Sequence, residues 1–244
     1  MTTLFISDLH LSDERADLCQ AFTTFCTTRA RQCERLFILG DLVDTWLGDD
    51  DDSELVRWLG EELAALTQAG VDLFLMRGNR DFLLGEAFAS RCGATLLDDP
   101  VVINLYDTDV LLMHGDSLCT ADTEYMAFRS QIRDPEKIAQ LLAQPLKERR
   151  ALAKQLRSQS KSANASKAKD IMDVTADEVV RVMEDHEVDT LIHGHTHRPA
   201  EHSLHLANGE AHRIVLGDWD KSGWVLEAKP EAAGAALTLE SFAL

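Results

Sequence analysis

No apolar run in the sequence approaches the about 18 residues that a membrane-spanning helix requires, so no membrane span is predicted. The chain enters a strand-like apolar stretch at once, without the basic and apolar regions of a signal peptide, and we expect it to stay in the cytoplasm. None of the five cysteines forms a C-x-x-C pair. Their odd number and spacing argue against a disulfide framework or a zinc–thiolate site and predict reduced, mostly buried thiols.

Basic residues are scarce, with 24 Lys and Arg against 42 Asp and Glu and a net charge of −18. Such a charge repels nucleic acid, and we expect no nucleic-acid partner. The exception is the segment from Arg129 to Lys169, which has eleven basic and three acidic residues, a net of +8, whereas the rest has 13 against 39, a net of −26. Internal repeats and low-complexity tracts are also missing. With 244 residues, 45% of them hydrophobic, we expect one globular domain over residues 1–244.

The stretch around residues 36–44 shows where chemistry enters. Four apolar residues, 36–39, predict a strand buried on both faces, and Gly40 lets the backbone turn where the strand stops. Asp41 therefore stands at a strand's carboxyl end, outside which open α/β sheets bind ligands. Taken alone, an Asp after a Gly more commonly stabilises a turn.

The same change, from a buried strand to ligand-capable side chains, occurs four more times. The strands are predicted at residues 4–7, 71–76, 110–113 and 189–192, and the side chains after them are Asp8 and His10, Asn79 and Arg80, His114, and His195 and His197. Helical spacing from Leu18 and from Leu55 places two helices between the first three strands, which makes a parallel sheet. The acidic run before the second helix, Asp49 to Asp52, could bind cations, but stabilisation of the helix start is the favoured interpretation.

Together these strand ends supply seven oxygen or imidazole donors and no sulfur: Asp8, His10, Asp41, Asn79, His114, His195 and His197. Each histidine alone is more commonly an ordinary loop residue, but five coincidences at one sheet edge argue for a shared role. The donor set suits two divalent metals, with manganese, iron or zinc as candidates. Two such metals favour hydrolysis of a phosphate ester or anhydride.

The ordered motifs D-x-H, G-D-x-x-D, G-N-x-D, H-G-D and G-H-T-H, over residues 8–197, resemble those of the calcineurin-like binuclear metallophosphoesterases. This resemblance implies an α/β fold, a two-sheet sandwich flanked by helices. It implies one metal on Asp8, His10, Asp41 and His197, and a second on Asp41, Asn79, His114 and His195, so that Asp41 bridges them. The expected metal is Mn²⁺, two ions per chain.

Within the family, residues 7–10, 40–44, 78–82, 113–116 and 194–199 are most similar to the branch that cleaves UDP-2,3-diacylglucosamine in lipid A biosynthesis. This similarity implies that metal-activated water attacks the α-phosphorus and releases UMP and 2,3-diacylglucosamine 1-phosphate. Where the wider family commonly has Gly-Asn-His, this chain has Arg80. An arginine cannot protonate a poor leaving group, but it can hold a departing phosphate, which favours a pyrophosphate bond. The alternatives are another phosphoesterase, acting on nucleotides or phosphoproteins, and a scaffold with a silenced site, against which the complete ligand set argues.

Residues 122–169 fit no βα repeat and predict a helical lid inserted over the crevice. The alternative is an ordinary amphipathic helix pair packed on the domain. We expect an apolar groove lined by leucines and a basic outer side facing anionic headgroups, formed by Leu141, Leu142, Leu146, Leu152 and Leu156 and by Arg149, Arg150, Lys154 and Arg157. The resemblance implies substrate contacts at Asn79, Arg80, Asp122, Ser160, Asn164, Lys167 and His195. A monomer attached peripherally to the cytoplasmic face of the inner membrane is expected.

Beyond Pro199, alternation predicts short strands at residues 202–206, 213–217 and 223–227 that complete a second sheet, and one more strand after Pro230. Asn208 and Gly209 are the predicted hairpin turn. Four histidines lack a strand-end position and are left out of the site: His186, His202, His205 and His212. His193 and Asp116 are predicted to orient ligating imidazoles.

Overall fold

The computed structural model describes residues 2–166, 171, 173–232 and 234–244, without the side chains of residues 158–166. In chain order its strands are β1 (Thr3–Ile6), β2 (Arg35–Leu39), β3 (Asp72–Met76), β4 (Thr95–Leu97), β5 (Val101–Leu105), β6 (Thr108–Met113), β7 (Thr190–His193), β8 (Ala200–Leu206), β9 (Gly209–Val215), β10 (Gly223–Glu231) and β11 (Gly234–Phe242). The helices are α1 (Ala16–Thr28), α2 (Glu54–Gln68), α3 (Glu86–Cys92), α4 (Thr123–Ile132), α5 (Pro135–Leu142), α6 (Leu146–Ser166) and α7 (Ala176–Asp185), with short 3-10 helices at Ala30–Gln32 and Asp116–Leu118.

The strands form two sheets, with the orders β11-β10-β1-β2-β3-β4 and β5-β6-β7-β9-β8. In the first sheet β1 to β4 are parallel, and β10 and β11 extend it in antiparallel fashion. In the second sheet β6, β7 and β9 are parallel, and β5 and β8 are antiparallel edges. The predicted two-sheet α/β sandwich is confirmed.

Successive side chains of the central strands enter different cores, because they point to opposite faces of the sheet. In β1, Leu4 and Ile6 pack against the layer formed by α1, α2 and α3, whereas Phe5 packs between the two sheets against Phe37. The strands are therefore buried on both faces, as their apolar runs predict. A third core lies between the second sheet and α7, with Val179 and Met183 at its centre.

Helices α1 and α2 confirm the helical spacing of the sequence. The buried face of α1 consists of Leu18, Phe22, Phe25 and Cys26. At the start of α2, the Ser53 hydroxyl accepts a hydrogen bond from the Val56 amide, which satisfies one of the helix's free N–H groups. All five cysteines are free thiols, and four of them are buried, as predicted.

Helices α4, α5 and α6 form one group, called the helical insertion below. Across residues 123–142, which the structure describes in full, α4 and α5 have no fully buried side chain. The insertion contacts the core beside the first sheet through Ile138 and Leu141 of α5, which are partly buried. Among all the residues that the structure describes, no helix is long and apolar enough to cross a membrane.

Several predictions about the C-terminal strands were wrong in detail. β10 joins the first sheet beside β1, so only β8 and β9 belong to the second sheet. The hairpin turn lies at Ala207 and Asn208, and Gly209 already pairs with Leu206. Sheet membership depends on packing between distant segments, which the alternation of side chains does not encode. The strand after Pro230 is present as β11.

Candidate metal centre

The loops after β1, β2, β3, β6 and β7 meet at one edge of the sandwich, called the metal edge below. Backbone bonds join neighbouring loops: the amides of Asp8 and His10 donate to the carbonyls of Gly40 and Asp41, at 3.1 and 3.0 Å. Between the sheets, the His195 amide donates to Asp8 Oδ2 at 2.9 Å. With the bonds from the Trp46 amide to the Arg80 carbonyl and from the Gly194 amide to the His114 carbonyl, these contacts connect all five strand-end loops.

The first group of donors is Asp8, His10 and His197, whose ligand atoms lie within 4.8 Å of one another. The Nε2 atoms of His10 and His197 are 3.2 Å apart, and His197 Nε2 is 3.4 Å from Asp8 Oδ1. Asp8 is fully buried, and its Oδ1 has no hydrogen-bond donor among the described residues. An anionic oxygen without a partner, facing two imidazole nitrogens, suits a bound cation.

The second group is Asp8, Asp41 and His114, all buried and again within 4.8 Å. Asp41 Oδ1 lies 3.7 Å from His114 Nε2, and its Oδ2 lies 3.9 Å from His10 Nδ1. One carboxylate thus faces both groups of donors. Asn79 Oδ1 is 3.0 Å from His114 Nε2, and the His195 ring centroid is 5.1 Å from that of His114. All seven predicted ligands therefore meet at this edge.

The imidazole of His114 is oriented by the main chain. Its Nδ1–H donates to the Leu39 carbonyl at 2.9 Å, which directs Nε2 at Asn79 and Asp41. Burial alone would lower the pKa of His114, but the carboxylates of Asp41 and Asp8 raise it to about 9. A divalent cation would compete with a proton for this position.

Backbone conformation marks the same residues. Five of the predicted ligands have φ angles between +49° and +68°: Asp8, His10, Asp41, His195 and His197. For a residue other than glycine this left-handed region costs about 1–2 kcal/mol. Such strain persists where the surrounding structure fixes the chain, and it is concentrated at functional sites.

Two motif glycines allow the loops to approach this closely. A Cβ atom on Gly78 would lie 2.1 Å from Asp41 Oδ1, and one on Gly194 would lie 2.3 Å from Asp8 Oδ2. Any larger residue at either position would push a predicted ligand out of place.

Comparison with known proteins agrees with this geometry. The family model described as calcineurin-like phosphoesterase matches residues 1–199. The chain belongs to the calcineurin-like phosphoesterase family. It is 57% identical to the UDP-2,3-diacylglucosamine hydrolase of Cellvibrio japonicus, over 97% of this chain and 98% of the relative. It is 54% identical to the protein of that name from Marinobacter nauticus, over 93% of each.

Among solved structures, an archaeal phosphodiesterase superposes with a TM-score of 0.50 at 13% identity, covering 98% of this chain and 100% of that one. At this level of identity the likeness shows the fold alone. The calcineurin-like sandwich is thus supported by the family model and by structural similarity.

Two aspartates contact this site in ways that the sequence analysis did not predict: Asp81, the last residue of the G-N-x-D motif, and Asp218. Asp81 is fully buried and accepts bonds from the amides of Gly78 (2.6 Å), Asp41 (3.2 Å) and Leu42 (2.8 Å), which joins the loops after β2 and β3. Asp218 Oδ2 lies 3.4 Å from His197 Nδ1. The signal for Asp218 was present, because an apolar stretch ending in Gly217 repeats the pattern before Asp41.

The predicted roles of His193 and Asp116 were wrong, because both bind other partners. The Nδ1–H of His193 donates to the Gly194 carbonyl at 2.8 Å, and its Nε2 is 3.2 Å from the Arg213 guanidinium. Asp116 Oδ2 accepts bonds from the Tyr125 hydroxyl and the Arg129 guanidinium. Neither residue hydrogen-bonds to a predicted ligand's ring.

A cavity of about 290 Å³ lies between the metal edge and the helical insertion. Asn79 and Arg80 line it from the loop after β3. Most of its remaining wall is apolar or aromatic: Trp46, Leu47, Phe82, Leu83, Tyr125, Phe128, Ile132, Leu141, Leu152, Ala153 and Leu156. Of the leucines predicted to form a groove, Leu142 and Leu146 are not among the lining residues. The Arg80 amide also donates to Asp41 Oδ1 at 2.8 Å.

Other predicted substrate contacts are placed only in part. Asp122 is 7% exposed and caps α4, accepting a bond from the Tyr125 amide at 3.0 Å. The side chains of Ser160 and Asn164, and the whole of Lys167, lie outside the described residues.

Three arginines predicted to face a membrane instead bind the sandwich. Arg149 is 3% exposed and donates to the Leu47 carbonyl and to Asp50. Arg150 pairs with Asp51 and Asp52, and Arg157 pairs with Asp44. The prediction was wrong for these residues because carboxylates of the loop between β2 and α2 attract them: the acidic run binds Arg149 and Arg150, and Asp44 binds Arg157. That run therefore contacts the helical insertion and does more than start a helix.

Proposed function

We propose that this chain hydrolyses the pyrophosphate bond of UDP-2,3-diacylglucosamine, releasing UMP and 2,3-diacylglucosamine 1-phosphate in lipid A biosynthesis. The name of the relatives from Cellvibrio and Marinobacter, which align over nearly the whole chain, supports this reaction. The observation that carries the proposal is an apolar cavity opening beside seven oxygen and nitrogen donors. In a substrate with both a pyrophosphate and acyl chains, the pyrophosphate suits the donors and the acyl chains suit the apolar cavity.

Two divalent cations, which we propose to be Mn²⁺, fit the donor set. Asp8, His10, Asp41 and His197 would hold one, and Asp41, Asn79, His114 and His195 the other. Bound there, they would activate the attacking water and neutralise charge on the phosphate. The unpartnered Oδ1 of buried Asp8 and the facing His10 and His197 nitrogens support this assignment.

Arg80 suits the departing half of the substrate. Arg80 lines the cavity together with Asn79, and the planar fork of donors of an arginine matches the oxygens of a phosphate. The sugar 1-phosphate leaves as a stable anion and needs no proton, which an arginine could not give. Asp122, Ser160, Asn164, Lys167 and His195 are the further substrate contacts of the proposal.

The helical insertion, residues 122–169 of a single domain, would act as a lid that covers the acyl chains. Each CH₂ group buried in the bilayer contributes about 0.8 kcal/mol. An acyl chain that leaves the bilayer must therefore bury part of its surface in the cavity instead. Tyr125 and Phe128 from α4 and Leu152 and Leu156 from α6 line that cavity, which supports the assignment.

We further propose that the protein is a monomer that contacts anionic lipid peripherally on the cytoplasmic face of the inner membrane. Phe128 and Leu142 are 40% and 38% exposed on the insertion, and Lys137, Lys147 and Lys154 are exposed on α5 and α6. Replacing the three lysines by glutamate should weaken binding to vesicles that contain phosphatidylglycerol. Unchanged vesicle binding would contradict membrane contact through this surface.

Incubation of the protein and Mn²⁺ with UDP-2,3-diacylglucosamine in ¹⁸O-labelled water tests the reaction. We expect UMP that carries ¹⁸O and an unlabelled acylated sugar 1-phosphate, because water attacks the α-phosphorus. UDP-N-acetylglucosamine, which has no long acyl chains, is the matched control and should turn over far more slowly. Equal turnover of both would point to a general phosphoesterase, and label in the sugar phosphate would contradict α attack.

A further inference from the structure

One face of α4 carries polar side chains that extend to the metal edge. Tyr125, Arg129 and Arg133 are four residues apart and therefore lie on the same side of the helix. The Tyr125 hydroxyl and Arg129 Nε both donate to Asp116 Oδ2, at 2.6 and 2.8 Å. One turn further on, Arg133 Nη2 donates to the Gly78 carbonyl at 3.0 Å.

Both arginines reach loops that carry a proposed metal ligand. Gly78 directly precedes Asn79, and Asp116 follows His114 by two residues. Asn79 Oδ1 and His114 Nε2 are themselves 3.0 Å apart. The two arginines therefore bind the loops that carry Asn79 and His114, whose side chains face each other.

A second link runs from Arg129 to His114. Arg129 Nη2 is 3.8 Å from Asp99 Oδ2, and Asp99 Oδ1 accepts the His114 amide at 3.3 Å. Asp116 is fully buried. The Arg129 guanidinium is a cation and bonds to this carboxyl. Its bonds are charge-assisted, and such bonds are roughly twice as strong as neutral ones.

The geometry points to Arg129 and Arg133 as positioning residues that set the separation of Asn79 and His114 and thereby complete one of the two metal positions. The inference rests on the proposed function, which assigns this pair to one cation. The other position depends on different contacts: His10 is held by the Asp41 carbonyl and His197 by Asp218. Loss of either arginine should therefore affect the two metals unequally.

Charge repulsion alone predicts the opposite change in metal affinity. Both arginines are cations near a cation site, so removing one would tighten metal binding if repulsion were its main effect. Positioning predicts weaker binding, because the loops lose the bonds that fix them. The direction of the change therefore separates the two explanations.

The test is a Mn²⁺ titration of the full-length protein, followed by electron paramagnetic resonance, with bound metal counted after dialysis. Wild type should bind two ions and give a spin-coupled spectrum. Arg133→Met should keep one tight ion, with a six-line mononuclear spectrum, and bind the second about 10–100-fold more weakly, the range for partners that orient ligands. Arg129→Met should do the same.

Two further variants define the cause. Arg133→Lys keeps the charge and can donate one bond to the Gly78 carbonyl, so it should restore most of the second affinity. Arg181→Met is the matched control, because this arginine pairs with Glu178 and Asp185 on the exposed face of α7, and it should leave both affinities unchanged.

Three results would overturn the inference: two tight ions in Arg133→Met, a tighter second ion, or equal weakening of both positions. If Arg133→Met does not fold, Arg133→Lys is measured instead, and an equal loss of affinity at both metal positions would overturn the inference. A wild type that binds two ions but leaves UDP-2,3-diacylglucosamine intact would contradict the proposed function alone. The titration would still decide the role of the arginines, because it needs no substrate.

Discussion

The metal edge and the helical insertion are held together by different forces. At the edge, main-chain bonds between loops and two close glycine contacts fix buried carboxylates and imidazoles. The insertion has no fully buried side chain on α4 or α5 within residues 123–142. Besides the partly buried Ile138 and Leu141, it reaches the sandwich through arginines that meet carboxylates. Arg149 with Asp50 and Arg157 with Asp44 are examples.

The difference teaches that chemistry and substrate capture can be altered separately. The sheets dictate the geometry of the edge, so a change there should affect turnover of every substrate. The ion pairs of the insertion should affect only substrates that fill the cavity. Arg129 and Arg133 are the exception, because they belong to the insertion but contact loops of the metal edge.

Metal removal should have the largest effect. Chelation followed by dialysis should abolish hydrolysis of acylated and small substrates alike while the helical circular dichroism is retained. Bound ions at a thousand times their Kd stabilise a fold by about 4 kcal/mol. For a chain of this size, the melting midpoint should therefore fall on the order of 10 °C. Activity that survives complete chelation would contradict a metal-dependent edge.

Asp41→Asn should come next. The amide keeps an oxygen for the Arg80 N–H but loses the charge that faces both groups of donors. Mutation of a residue that hydrogen-bonds to a metal ligand lowers metal affinity or activity about 10–100-fold. Loss of a ligand that two metals share should therefore lower kcat by more than about 100-fold. Steady-state rates and metal content check this. Two tightly bound metals in the variant would contradict a shared carboxylate.

Arg149→Met should have an intermediate and selective effect. The variant loses the bonds to Asp50 and to the Leu47 and Gln144 carbonyls, which hold the start of α6. We expect the KM for the diacylated substrate to rise about tenfold, the low end of the range for a supporting residue. Metal content and hydrolysis of a small phosphodiester should not change. Gln155→Met, on the exposed side of α6, is the control, and a parallel loss on both substrates would contradict the separation of regions.

Salt should have the smallest effect. Arg150 pairs with Asp51 and Asp52 at the surface, where its side chain is 47% exposed. Raising the salt from 0.15 to 1 M shortens the screening length from about 8 to about 3 Å. The KM for the diacylated substrate should rise roughly twofold in wild type, as such pairs are weak, and less in Arg150→Gln. An identical rise in the two proteins would assign the salt effect to other contacts.

The sequence predicts the metal edge well because its signals are local. A buried run that ends in glycine and a carboxylate or imidazole is readable within ten residues, and Asp41 and His114 were found in this way. Asp81 stands in the G-N-x-D motif, but its role was not predicted, because accepting bonds from the amides of two loops leaves no periodic pattern in the sequence. β4 and α3 were missed because they have only three and seven residues.

The insertion is less predictable because its contacts are distant. Arg149 and Asp50 are 99 residues apart, and a basic segment looks the same in sequence whether it faces lipid or an acidic loop. Sheet membership of β10 has the same origin, since its partner β1 lies at the other end of the chain. Pairing over such separations depends on the folded topology.

The hydrogen bond from the His195 amide to Asp8 can form only after residue 195 has been synthesised. It joins residues 187 positions apart and ties one sheet to the other. A nascent chain that has emerged only to β7 already carries Asp8, His10, Asp41, Asn79 and His114, but neither of the last two histidines. If the proposed ligand set is right, loading of both cations would follow the docking of the second sheet on the first. Shortened chains that end before His195 should form most of the first parallel strands and still be unable to retain a pair of cations.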